Sequence, residues 1–409
     1  MRANDQTSPT LRQRLERQHL SEQGNTALSS RHQVRRFGLR VIGALTRQVV
    51  RHPRPTSVER VLVIRPDHLG DLLFTVPALR LLRQRFPQAH IATLVGPWGK
   101  EVAEGFPWID EILTCPFPGF TRKAKPSAWH PYRLLISTAR RLCRHRFDMA
   151  IVLRSDHWWG AWLAAWANIP VRVGYATPDV RPFLTHPLEY VEGQHAVQQN
   201  LRLVDPEIDS AQAEDWPLQF SSSAADHAWA KEQLSRLSRP IVAIHPGAGA
   251  AIKRWREAAW SRVADALVER WQASIVITGG PGEVILGEAV AAKMRHKALV
   301  LAGKTSLGQL AALFAQCDLV LGPDSGPLHL AVAVGVPTVH LYGPADPSLF
   351  GPWGPAHRHR VIQSDWACAP CHRFDYPPEA VPLHGCVRDI QETEVLTAAN
   401  ELLSRTAPS

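Results

Sequence analysis

Twice along the chain, short β-branched runs alternate with amphipathic helical stretches, and a polar, turn-rich interval from about Asp205 to Arg239 separates the two arrays. In the first array Val58–Arg65 reads as a strand, Leu72–Phe86 as a helix and His90–Val95 as a strand. A helix around Ser127–Arg146 and strands at Met149–Leu153 and Val171–Gly174 follow. The second array reads strand Ile241–Ile244, helix Glu257–Trp271, strand Ser274–Thr278 and helix Glu283–Met294. Strands Ala298–Leu301, Asp318–Leu321 and Thr338–Leu341 complete it. Strands that alternate with helices build a parallel sheet covered on both faces. The expected fold is therefore α/β, with two doubly wound, Rossmann-like domains facing each other across a cleft. In such sheets ligands sit at the carboxyl ends of the strands, so the loops after each strand carry the functional information.

Other classes are excluded quickly. At 409 residues the chain is too long for one ordinary core. Hydrophobic residues are 45% and charged residues 20%, which is globular rather than disordered composition. The most apolar run, Trp158 to Val171, is interrupted by Gly160 and Asn168 and is too short to span a bilayer. The first thirty residues are polar and lack the apolar stretch of a secretory signal. Six cysteines make no disulfide scaffold, and the expected setting is cytoplasmic and reducing.

The net charge of +9 is unevenly placed. Residues 1–57 hold eleven arginines, no lysine and three acids, a balance of +8, which leaves only +1 for the other 352 residues. Within this arm, Val34 to Arg51 has helical periodicity. Val34, Phe37, Val41, Ile42, Leu45 and Val49 share one arc, while Arg36, Arg40, Arg47 and Arg51 share the opposite one. Leu39 and Val50 break the pattern. Two readings stay open. A cationic amphipathic helix can lie in an anionic bilayer interface, or it can dock on the body with its charges in water. No aromatic-interleaved platform accompanies the charge, so nucleic acid is not an expected partner.

Four loops at strand ends hold candidate chemistry. The first runs from Arg65 through Pro66, Asp67, His68, Leu69 and Gly70 to Asp71. Asp71 either caps the following helix or faces the cleft as a carboxylate able to accept a proton. The second, His245 to Trp255, has Gly247 and Gly249 for close backbone approach and Lys253 and Arg254 for anionic charge. It is neither a Walker A loop nor G-x-G-x-x-G. The third is Gly279–Glu283, where Glu283 suits a ribose diol or merely a helix N-terminus. The fourth runs from Gly322 to His329 and includes Asp324, Ser325 and Gly326, all ordinary turn and cap residues when taken singly. No D-x-D triplet occurs, so the common way of holding a divalent metal on a nucleotide-sugar diphosphate is missing.

Taken together, these segments resemble glycosyltransferase family 9, the bacterial heptosyltransferases of lipopolysaccharide core assembly. The resemblance runs from about Val58 to Asp389. It is carried by VLVIRPDHLGDLLFTVPALR at 61–80, HPGAG at 245–249 with KRW at 253–255, GGPGE at 279–283, and GPDSGPLHLAVAVGVPTVHLYGPADP at 322–347. It implies a GT-B fold with the acceptor on the first domain and the nucleotide sugar on the second. It also implies inversion by single displacement, without metal or other cofactor. Asp71 is then the general base. Lys253, Gly247, Gly249, Ser325 and Gly326 hold the donor phosphates, Asp324 and His329 the donor sugar, and Glu283 the ribose. The implied partners are ADP-heptose and a lipid-linked saccharide of the lipid A–Kdo type, met at the cytoplasmic face of the inner membrane. Rival readings are a GT-B transferase using another nucleotide sugar and glycolipid, an epimerase on the same architecture, and a non-catalytic sugar-nucleotide-binding module.

The expected layout is a basic extension over 1–57, an acceptor domain over 58–220, a nucleotide-sugar domain over 238–360, and a tail over 361–409 packing back on the first domain. Arg122, Lys123 and Lys125 in an aromatic-rich loop, with Arg65 and Arg154 at strand ends, are candidates for acceptor anions, the alternative being a solvated loop. In the tail, Cys368, Cys371, His384 and Cys386 have spacing suited to a structural zinc, the alternative being buried reduced thiols.

Overall fold

The computed structural model describes residues 30–49, 57–121, 127 and 129–406. The chain divides between Ser221 and Ser222 into two compact units. The first holds six parallel strands, β1 (Arg60–Arg65), β2 (His90–Val95), β3 (Glu111–Thr114), β4 (Met149–Val152), β5 (Val171–Tyr175) and β6 (His186–Leu188), in the order β3-β2-β1-β4-β5-β6. The second holds β7 (Ile241–Ile244), β8 (Ser274–Ile277), β9 (Ala298–Val300), β10 (Leu319–Pro323), β11 (Thr338–Tyr342) and β12 (His359–Gln363), in the order β12-β11-β10-β7-β8-β9. Counted from its own first strand, each sheet has the same order, 3-2-1-4-5-6. That order reverses between the first and fourth strands, which opens a crevice at their carboxyl ends.

The central strands are buried on both faces, so they read as continuous apolar runs, as in Val61–Ile64 and Ile241–Ile244. Helices fill the first core with Trp159, Trp162 and Leu163, and the second with Trp260, Val263 and Leu267, to which the loop residue Trp255 adds its ring. The strands without an apolar signature, β3, β6 and β12, lie at sheet edges. Half of their surroundings is solvent, and β6 contains Pro187.

The sequence-expected helix 72–86 is two helices, α2 (Leu69–Leu73) and α3 (Val76–Arg85). Pro77 lies in the first turn of α3. It has no N–H to give, and its ring would clash with the Leu73 carbonyl in a continuous helix. The basic arm contributes α1 (Ser30–Val49), which belongs to the first unit rather than to a separate extension. Leu39 is buried, Gly43 packs so tightly on Pro182 that no Cβ fits between them, and Arg36 pairs with Asp179 at 3.4 Å. The docked face therefore centres on Leu39, Ile42, Gly43 and Thr46. Phe37 and Val41, on the expected apolar arc, are instead 70% and 43% exposed. The side chains of Val34, Leu45, Arg47, Val49 and Arg51 lie outside the described set.

The tail corrects a second expectation. Its helix, Glu392–Thr406, packs on the second unit's Glu257–Trp271 helix, and Trp366, Cys368, Cys386, Val387 and Ile390 complete that unit's core. Apolar spacing at Val395, Ala399, Leu402 and Leu403 gives this helix one face to bury, and the nearest open sheet face is its own unit's.

Candidate active site

Both reversal points carry clusters of charge. In the first unit the loop after β1 brings Arg65, Asp67 and Asp71 together, and the loop after β4 adds Arg154, Asp156 and His157. Asp67 is buried, ion-paired with Arg65 and hydrogen-bonded by Arg154. Arg65 Nε lies 2.7 Å from its Oδ2, and Arg154 Nη1 pairs with its Oδ1. Burial by itself would raise the Asp67 pKa, but the two guanidinium charges outweigh it and hold the carboxyl below its usual value. Arg65 also reaches Asp71 Oδ1 at 3.4 Å and Asn200 Oδ1 at 3.4 Å. Asp71 keeps 37% of its side chain exposed, in the first turn of α2. His68, not Asp71, is the N-cap residue, so the capping role proposed from spacing is not the one observed. Trp98 braces the loop by donating its Nε1–H to the carbonyls of Pro66 and Asp67, and it stacks on His68.

The basic residues nominated for acceptor anions fare differently. Arg65 is buried and engaged with Asp67 and Asp71, so it orients the carboxylates rather than offering a free charge. Arg154 is bound by Asp67 and, through Nε at 2.5 Å and Nη2 at 3.1 Å, by Asp156. Arg122, Lys123 and Lys125 lie outside the described residues.

In the second unit the loops after β7 and β10 converge. Lys253 Nζ is 2.5 Å from Asp324 Oδ2 and lies 4.7 Å from the centre of the Phe374 ring. His329 is buried behind Asp324, with Nε2 at 3.7 Å from Oδ1, where it supports that carboxylate. Burial opposes ionisation of Asp324, yet the His329 hydrogen bond and the Lys253 charge bring its pKa down to about 2. Ser325 is the N-cap residue of the helix Gly326–Ala333, but its hydroxyl does not cap. It is buried with no hydrogen-bond partner among the described residues. A buried hydroxyl at a helix N-terminus beside a lysine is suited to an anion.

Glu283 lies in the loop after β8, against the loop after β7. Its Oε2 accepts from the Gly280 N–H at 2.8 Å, and its carboxylate lies where a Cβ on Gly247 would be. Gly247 is thus required by Glu283, whereas a Cβ on Gly249 would meet open space. His245, buried at the end of β7, lies between Thr278 (Nδ1 to Oγ1, 3.1 Å) and Glu283 (Nε2 to Oε2, 3.6 Å). Burial lowers its pKa to about 4 despite Glu283, so it is neutral at pH 7. Sequence reading missed Asp67, His157, His245 and Phe374. Only the position of Asp67 and His245 beside a strand end, within quoted motifs, carried any signal.

The zinc set does not assemble. Among the described residues no three His, Cys, Asp or Glu side chains form a metal-holding group. Cys368 and Cys386 are buried, His384 packs on Tyr376 at 4.1 Å between ring centres, and burial raises the Cys386 thiol to about 12. The tail instead anchors the loop after β7, because Trp255 donates its Nε1–H to the Ile390 carbonyl at 3.1 Å.

Comparison with known proteins places this arrangement in context. A family model described as glycosyltransferase family 9 (heptosyltransferase) matches residues 135–377, more than half of the chain. Lipopolysaccharide heptosyltransferase 2 of Escherichia coli K12 is 28% identical over 366 residues, covering 84% of this chain and 98% of that protein. Lipopolysaccharide heptosyltransferase 1 of Pseudomonas aeruginosa is 28% identical over 325 residues, covering 76% and 86%. Among solved structures, a family 9 glycosyltransferase from Veillonella parvula superposes with a TM-score of 0.71 at 25% identity, covering 87% of this chain and all of that one. An E. coli ADP-heptose lipopolysaccharide heptosyltransferase II gives 0.67 at 25% identity, covering 85% and 99%.

Proposed function

The chain belongs to glycosyltransferase family 9, and from that premise we propose that it moves heptose from ADP-heptose to a hydroxyl of a lipopolysaccharide core acceptor, with inversion and without metal. The observation that carries this reading is the anion cradle of the second unit, where Lys253, the uncapped Ser325 hydroxyl and the helix start at Gly326 converge beside Asp324.

In this reaction Asp71 takes the proton of the acceptor hydroxyl as its oxygen attacks the anomeric carbon. The bond from that carbon to the diphosphate oxygen breaks, and negative charge grows on the leaving ADP. Lys253, Ser325 and the helix N-terminus receive it, held in place beforehand, so little reorganisation accompanies bond breaking. Asp324 shares Lys253 with the diphosphate and accepts hydroxyls of the sugar, while His329 fixes Asp324 from behind. Glu283 takes the ribose diol. In the first unit Arg65 and Asp67 form the frame that keeps Asp71 at its strand end.

The membrane part of the proposal rests on the undocked face of α1. Phe37 and Val41 are exposed beside Arg40, and among the described residues no helix is long and apolar enough to cross a membrane. The protein then meets the inner membrane from the cytoplasm as a peripheral enzyme.

Thermal stability with ADP, UDP, GDP and CDP, each with and without Mg²⁺, tests the donor. A ligand at 100 times its Kd adds about 2.7 kcal/mol. Selective stabilisation by ADP, indifferent to Mg²⁺ and lost in Lys253→Ala, is expected. Stabilisation by another nucleotide removes heptose from the reading, and no response removes catalysis. Sedimentation with phosphatidylglycerol vesicles tests the arm, with Phe37→Ser expected to weaken binding. Equal binding by both proteins would remove the membrane role of α1.

A further inference from the structure

Beyond the clusters described above, the first unit contains a cavity of about 510 Å³. This is within the range of roughly 300–1,000 Å³ found for small-molecule sites. Its walls come from the segment around Phe120, the start of helix His130–Cys143 with Tyr132, the loop after β4 with Arg154, Asp156 and His157, and Trp158. It adjoins the base, because Arg154 in its wall is linked through Asp67 and Arg65 to Asp71.

Charge balance argues against an anion here. Arg154 is already bound by Asp67 and Asp156 and lies 5.1 Å from the centre of the Phe120 ring. Asp179, also in the wall, is paired with Arg36 of α1. Nor does the lining suit an alkyl chain, since two carboxylates and an imidazole would lose water without compensation.

His157 supplies the pointer to a ligand. It is 4% exposed, and neither ring nitrogen has a hydrogen-bond partner among the described residues. Burial lowers its pKa to about 4, so at pH 7 it is neutral, with one nitrogen donating and the other accepting. Nδ1 packs against Gly160, which leaves Nε2 as the atom a hydroxyl can satisfy, and buried polar groups are seldom left without partners. Aromatic faces beside carboxylates match a sugar ring, whose C–H faces stack and whose hydroxyls donate.

We propose that this cavity is a subsite for an uncharged sugar ring, stacked on Trp158 and Tyr132 and hydrogen-bonded through its hydroxyls to Asp156 and His157. That the ring belongs to the acceptor rests on the proposed transfer; that the cavity binds it does not. The subsite selects a neutral saccharide unit at a distance from the reacting hydroxyl.

The test uses the full chain and saturation-transfer NMR with methyl α-D-mannopyranoside and maltose as neutral probes, Kdo as an anionic sugar and octanoate as an acyl probe. The neutral sugars are expected to bind. Trp158→Leu and His157→Phe are each expected to weaken them about tenfold, the loss of one good contact, with ADP affinity and unfolding temperature unchanged. Trp158→Leu alone decides the matter if His157→Phe does not fold. Preference for Kdo or octanoate overturns the proposal. Equal sugar binding by the variants, or no binding by a protein that still binds ADP, also overturns it. Neutral-sugar binding in a protein that fails to transfer heptose sinks the proposed reaction and leaves the subsite standing.

Discussion

The two units repeat one strand order and each places a buried aspartate beside its reversal point, after the first strand in one and after the fourth in the other, but they surround it differently. Asp67 in the first unit lies between two arginines, and the exposed Asp71 stands beside this neutralised pair. Asp324 in the second unit lies between one lysine and a buried histidine, next to a hydroxyl that has no partner. Arginine keeps its charge and binds carboxylates through a fixed fork, so the first arrangement is a rigid frame. Lysine is a compact charge on a flexible stem that can be shared with an arriving anion. One fold thus supplies a rigid carboxylate frame at one site and a lysine open to sharing at the other, which is the division of work that the proposed transfer needs.

The sharpest way to break this contrast is Asp71→Asn. It should lower kcat by about 10²–10⁴-fold, with ADP affinity unchanged in calorimetry. A loss of ADP binding would mean that the two sites do not divide the work as described. Lys253→Met should act in the opposite sense, weakening ADP about a hundredfold, the value of a charge-assisted contact. Lys253→Arg should not restore it, because the fork would bind Asp324 instead.

Acid should separate the units by stability. His157 in the first unit, and His245 and His359 in the second, are held at about 4, and His340 is also held well below the usual histidine value, in each case chiefly through burial. Unfolded histidine titrates near 6.5, so between pH 6.5 and 4 the unfolded chain binds protons that the folded one refuses. Stability is complete above that window and falls as pH drops through it, by roughly 3 kcal/mol for each fully buried histidine. Asp324 extends the loss from about pH 4 down to 2. Hydrogen exchange on acidification should therefore show the second unit opening first, and the first unit opening first would contradict the assignment of these burials.

The smallest effect concerns the glycine loop, which has no counterpart in the first unit. Gly247→Ala displaces the Glu283 carboxylate and should raise the Kd for ADP about tenfold. Gly249→Ala has open space and should change folding stability by less than about 0.5 kcal/mol. Any loss of ADP affinity in that variant then reports close approach by the ligand itself.

Legibility in the sequence followed burial. Central strands such as Ile241–Ile244, covered on both faces, were plain as apolar runs, and the helix Glu257–Trp271 was read to the residue. The edge strands β3, β6 and β12 left no pattern, because half-solvated residues need not alternate. Lys253, Asp324 and Glu283 were legible because glycine-rich turns at strand ends mark close backbone approach. Arg65 and Arg154 were found but misjudged as free charges. Their partner Asp67 is four residues from Asp71 yet 87 from Arg154, and nothing local signals a pairing that topology creates. The arm's docked face was hidden for a related reason. Helical periodicity locates apolar residues but not the surface they meet, and docking used Leu39 and Gly43 in place of the wider arc.

That docking has a geometric consequence. Arg36 on α1 is paired with Asp179, and Asp179 is part of the wall of the aromatic cavity, so the docked arm is tied directly to the cavity. Any surface that takes up Phe37 and Val41 holds the cavity at a constant height above it. In the proposed membrane reading the arm works as a ruler, so that the sugar admitted to the cavity is chosen by how far it stands from the lipid as well as by its hydroxyls.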